Sequence, residues 1–167
     1  PDPWTDTKSD VSGFSKRLSS LLKQSVNDNS SGKISYGSFI TIFEIIFKTL
    51  HYKNTPFLIK LIFSSISKPW KKSLILDYLI HMVHIYLYRK KSPNFSSVFL
   101  NAGAHIQHHY FYNTKYINNL PKNPNWYVNP VSDPIEDMLE VYDKIIGDYI
   151  KLSKKGQYLL IATGLRQ

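Results

Sequence analysis

The chain has 167 residues, 43% of them hydrophobic and 14% aromatic, with a formal charge of +9 and a pI near 9.6. This is a globular composition, long enough for one domain to bury roughly two thirds of the surface its unfolded chain exposes. The absence of cysteine excludes disulfides and thiolate metal sites. The positive charge attracts anions, whether nucleic acid, acidic lipid or phosphorylated substrate, without choosing among them.

Residues 1–12 read as a polar, proline-bearing lead-in. Phe14, Leu18, Leu21 and Leu22 then fall on one face of a short amphipathic helix over 13–24. Asn27 to Gly32 is a loop by its turn chemistry. Ser38 to Tyr52 reads as a strongly apolar helix with too few polar residues for an exposed face, so burial is expected. A further helix begins at Pro56 and runs to Ile66, before Pro69 and Trp70.

Lys71 to Lys91 gives the longest predicted helix. Asp77, His81 and His84 interrupt its apolar stretch, which argues against a membrane span. His81 and His84 stand at i, i+3; they suit either a metal or core contacts. Ser92-Pro93-Asn94 ends this helix, and Phe95 to Leu100, rich in Val and Phe, reads as a strand. Residues 110–131 form an irregular aromatic loop, which must pack on something or bind something. Ser132 or Asp133 can cap the next helix, with Pro134 at its first position and Glu136 placed for a capping box. Ile135, Met138, Leu139, Tyr142, Ile145, Ile146 and Tyr149 lie on its expected buried face. The helix dipole accounts for Asp133, Glu136 and Asp137 in its first turn. Lys154-Lys155-Gly156 marks its end, and Gln157 to Ala162 reads as a second strand.

Strand, helical crossover and strand make a right-handed parallel βαβ unit. The predicted class is therefore α/β but predominantly helical, with residues 1–92 as a helical layer or cap and 93–167 as the βαβ portion. An open parallel sheet places its chemistry just beyond the carboxyl end of a strand. At that point stand Asn101, His105, His108 and His109, with Gln107 and Tyr110 between and beside them. Residues three and four apart share a helix face, and clustered neutral imidazoles can hold a transition metal or bind phosphate. Histidines on a surface helix can equally be solvated or bonded to backbone.

The run Asn101-Ala102-Gly103-Ala104-His105 resembles the strand-end Asp-x-x-x-His motif of the alkaline phosphatase superfamily, in its nucleotide pyrophosphatase and type I phosphodiesterase branch. The resemblance covers residues 93–167. It implies a three-layer sandwich and a divalent metal, such as zinc, held by Asn101, His105 and His109. A pocket for a phosphorylated small molecule or phosphodiester would lie near Gln107, His108 and Tyr110. Asn stands where the family has Asp, and Thr163-Gly164-Leu165-Arg166 stands where it has an Asp-His pair. No nucleophile can be named, so the expected protein is a fragment or divergent member without turnover, binding metal weakly if at all. The alternative is a non-enzymatic basic module for nucleic acid or another anionic partner. Both ends look cut from something longer. No signal peptide is visible, which gives a cytoplasmic expectation. Bare strand edges and surplus apolar helix lead to an expectation of self-association.

Overall fold

A computed structural model of the protein describes residues 12–27, 35–49, 54–117 and 121–163. These form six α-helices and one short 3-10 turn: α1 (Gly13–Asn27), α2 (Tyr36–Thr49), α3 (Thr55–Ser64), α4 (Lys71–Lys91), α5 (Ala102–Tyr110), the 3-10 turn Phe111–Asn113 and α6 (Pro134–Leu152). Among the described residues there is no strand and no helix long and apolar enough to cross a membrane. The lead-in over 1–11, the expected loop over 28–33 and the tail 164–167 lie outside the described residues, as do 50–52 at the end of the second predicted helix.

The chain divides into two compact units, Pro1–Thr55 and Pro56–Gln167. In the first, α1 and α2 form an antiparallel hairpin. Ser12 Oγ accepts from Ser15 N–H to start α1, and Ser35 Oγ accepts from Ser38 N–H to start α2. Arg17 Nη2 reaches Glu44 Oε2 at 2.6 Å, and Gln24 Oε1 accepts from the hydroxyls of Ser35 and Ser38. Burial of α2 was expected along its length, yet Tyr36, Phe39, Phe43 and Phe47 are exposed. Thr41, Ile45 and Thr49 form its buried stripe instead. Hydrophobic composition alone does not say which side of a helix is covered.

The second unit is organised around α4 and α6, which run parallel. Four contacts fix that direction: Lys71 to Asp137, Asp77 to Tyr142, His81 to Asp148 and His84 to Tyr149 rise together along both helices. Between the two helices, Leu74, Tyr78, Met138, Val141 and Ile145 are buried. Helix α3 lies against the pair on one side, with the Phe57 ring 5.0 Å from that of Tyr78. Helix α5 descends antiparallel to α4, its Ala102 end beside Asp77 and its Tyr110 ring 5.7 Å from Trp70 at the base of α4. The recess between α3, α4 and α6, lined by Phe57, Leu61, Ser64, Lys71 and Val141, has a volume of about 10 Å³, room for a single water.

The α/β expectation fails here. Residues 95–100 form no ladder; they run without regular structure from the top of α4 to the start of α5, tied near their beginning by Ser96 Oγ to His84 Nε2 at 2.6 Å. Val98 and Leu100 are half-buried against the helices while Phe95 and Phe99 face out. Residues 157–162 likewise form no ladder and are exposed. A strand exists only through its ladder, so the parallel βαβ unit and the three-layer sandwich are both replaced by a helical bundle.

Candidate functional site

Three polar clusters and one charged end hold the chemistry-bearing residues of the second unit. The first cluster begins helix α5. Asn101 stands at its N-cap position, but its side chain makes no capping bond. Asp77, projecting from α4, does that work: Oδ1 accepts from Asn101 N–H at 3.2 Å and Oδ2 from Ala102 N–H at 2.8 Å. Tyr142 of α6 completes the arrangement, donating its hydroxyl to Asp77 Oδ2 at 2.9 Å and accepting from Gly103 N–H at 2.7 Å. A carboxylate satisfies the orphan amides of a helix start and favours its positive end. Burial raises the Asp77 pKa, against the lowering effect of these three hydrogen bonds. Gly103 is required by this closeness: a Cβ there would meet Tyr142 Cε2 and Oη at 2.9 Å.

Along α5, His105 and His109 come together, their ring centroids 4.6 Å apart. His105 is half-buried, and burial, then His109 and His108, pushes its pKa down. His109 Nδ1 lies 3.2 Å from the Tyr127 hydroxyl, while its carbonyl accepts from Asn123 Nδ2 at 2.8 Å. Gln107 and His108 point to solvent. Tyr110 faces inward, stacked on Tyr127 at 5.3 Å. Of the residues expected to form a metal and substrate site, the structure thus gathers His105 with His109, and buries Tyr110 as a packing residue. Among the described residues no group of three or more His, Asp or Glu side chains is placed to hold a metal ion.

The second cluster lies in the α4–α6 seam. His81 is completely buried; its Nε2 is 3.2 Å from Asp148 Oδ2, which also accepts from Lys144 Nζ at 2.6 Å. His81 Nδ1 has no partner. Burial pushes the imidazole down to about 4, against the pull of Asp148. It is therefore neutral at pH 7, with the proton on the nitrogen that faces the carboxylate. Burial raises the Asp148 pKa, but hydrogen bonds from Lys144 and His81 outweigh it and hold it below the usual carboxylate value. One turn on, His84 bridges the Tyr149 hydroxyl at 2.9 Å and Ser96 at 2.6 Å. Both histidines are core residues of the packing kind.

The third cluster surrounds Asp137, which the sequence assigned to the helix dipole. It is buried, bound by Lys68 and Lys71 Nζ, each at 3.0 Å, and by Trp70 Nε1 at 2.9 Å. Burial raises its pKa, yet these donors hold it below the usual carboxylate range. The helix start matches the expected Asp133 cap and Pro134 position, but the expected capping box is not made. Asp133 Oδ1 accepts from Ile135 and Glu136 N–H, Pro134 holds the first position, and Glu136 turns to Lys115 Nζ at 2.6 Å.

The charged end follows from the parallel course of α4 and α6. Both helices finish on the same side, and each carries exposed cations there: Arg89, Lys90 and Lys91 in the last turn of α4, and Lys151, Lys154 and Lys155 at and just past the end of α6. Neither 85–100 nor 149–163 contains an Asp or Glu. The helix dipoles favour cations at these termini, but Lys154 and Lys155 already lie past the end of α6. The sequence shows each basic triplet separately; it gives no signal that the two are neighbours.

Neither a scan of protein-family models nor searches of curated proteins and of solved structures give a match to this chain.

Proposed function

We propose that the chain is a non-enzymatic, cationic helical module that binds an anionic partner through the shared end of α4 and α6. The observation that carries this reading is that two parallel helices end on the same side, each with three exposed cations, in stretches (85–100 and 149–163) that contain no Asp or Glu. The fields of cations grouped at one end of a helix pair add at an approaching anion, and salt screens them over a Debye length of about 8 Å.

The remaining chemistry-bearing side chains support a binding role over a catalytic one. Asp77, Asp137, Asp148, His81 and His84 are each engaged by packing partners. The recess beside α3 is far below the roughly 300 Å³ of an ordinary small-molecule pocket. The phosphodiesterase expectation drew on a ligand set at the carboxyl end of a sheet strand. With 95–100 unpaired, that motive is gone.

Retention on a heparin matrix tests the proposal. Changing Lys90, Lys91, Lys154 and Lys155 to Glu should move elution to markedly lower salt. Changing Lys16, Lys23, Lys60 and Lys122 to Glu alters net charge equally elsewhere and should shift it far less. Equal shifts from the two sets would mean that net charge, not this end, governs binding, and the proposal would fall.

A further inference from the structure

The basic end carries a second feature that electrostatics does not explain. Immediately after Lys154 and Lys155 the chain turns at Gly156, whose φ of 86° favours glycine. It then presents Tyr158, Leu159, Leu160 and Ile161 with relative exposures of 99, 43, 90 and 55%. Ile150, at 61%, stands on the last turn of α6, and Phe95, at 84%, follows the Arg89–Lys91 triplet by four residues. Runs of apolar side chains exposed beside a cation cluster mark an interaction surface.

We infer that this end docks on an anionic lipid bilayer, with the Tyr158–Ile161 segment lying at the headgroup level. The inference rests on the anionic-partner reading above and narrows it to one partner. Charge complementarity supplies the attraction: juxtamembrane lysines and arginines are drawn to acidic headgroups within a Debye length of the surface. The aliphatic majority of these side chains favours lipid over single-stranded nucleic acid. Stacking on bases needs π-faces; Tyr158 and Phe95 have them but Leu159, Leu160, Ile161 and Ile150 do not, whereas an acyl boundary accepts all six.

The depth is set by the backbone. Residues 157–163 form no secondary structure, and unpaired peptide groups do not enter hydrocarbon. The segment therefore stays among the headgroups and sends its outward side chains, Tyr158 and Leu160, toward the acyl boundary. Tyrosine is favoured at that level, its ring in the apolar layer and its hydroxyl in water. A segment lying at the headgroup level holds the chain to the surface of the bilayer and not across it.

The test is co-sedimentation of the chain with vesicles of phosphatidylcholine alone, or of phosphatidylcholine with phosphatidylserine, alongside heparin retention and binding to an oligo-dT strand. The wild type should bind the phosphatidylserine vesicles and not the neutral ones. Lys154→Glu with Lys155→Glu should weaken vesicle binding by about tenfold or more. Leu160→Ser should weaken it several-fold while leaving heparin retention unchanged. These exposed positions leave the helices intact, which circular dichroism verifies. Vesicle binding indifferent to Leu160→Ser would overturn the inserted segment while sparing the charge reading. Binding to oligo-dT but not to acidic vesicles would replace lipid by nucleic acid. Binding to neither vesicles nor heparin would remove both proposals.

Discussion

Acid titration of His81 gives the sharpest quantitative check on the α4–α6 seam. In the folded chain this imidazole is held down to about 4; in the unfolded chain it titrates near 6.5. The unfolded state therefore takes up a proton first as pH falls, and folding stability drops between about pH 6.5 and pH 4. A difference of roughly 2.5 units at 1.36 kcal/mol per unit amounts to about 3 kcal/mol lost across that window. The sign has a structural cause. Protonation would put a second N–H on Nδ1, which is buried and has no acceptor. His84 and His105, also pushed down by burial, add losses of the same sign. Asp77, whose pKa is raised, acts oppositely: stability grows as it takes up its proton. Urea unfolding at pH 7 and pH 4.5, followed by the emission of buried Trp70, reads the change. His81→Phe should flatten the pH dependence by most of the His81 share while leaving the Lys144–Asp148 pair in place. Parallel stability–pH curves for wild type and His81→Phe would refute the assignment.

Two further substitutions test how α5 is seated. Gly103→Ala brings a methyl group to 2.9 Å from the Tyr142 ring; the expected cost is about 1–3 kcal/mol in urea unfolding, and a neutral result would contradict the close approach. Asp77→Ala leaves Ala102 N–H without its acceptor inside the protein, at an expected cost of about 2–3 kcal/mol. Amide exchange at Ala102 and Gly103 should accelerate ahead of exchange in the middle of α6.

How far the residues could be read depended on whether a local signal had a local cause. Helix α4 was legible to the residue, because an apolar stretch flanked by lysines and stopped by Ser92-Pro93 needs no outside partner. The start of α6 was legible for the same reason, since Asp133 caps and Pro134 follows. Its end was less so: the helix stops at Leu152, and Gly156 serves the next turn. The expected strands failed because a run rich in Val, Phe and Leu signals strand propensity, whereas a strand forms only where a second segment supplies the ladder, and neither 95–100 nor 157–162 has one among the described residues. Within the expected site, spacing alone brought His105 and His109 onto one face. Asp77 and Tyr142 were missed as capping partners because they lie 25 and 39 residues from the amides they bind; an Asp inside an apolar helix was the available signal.

The amino-acid order by itself settled where α4 begins and ends and where α6 begins, that no thiol chemistry is available, and that the protein carries surplus positive charge. Those are properties of single residues and of neighbours a turn apart. Tertiary structure alone decided that α4 and α6 run parallel, that a carboxylate on one helix caps another, and that two separate basic triplets share one end. Each of these depends on distances between residues far apart in the chain, which only packing can fix.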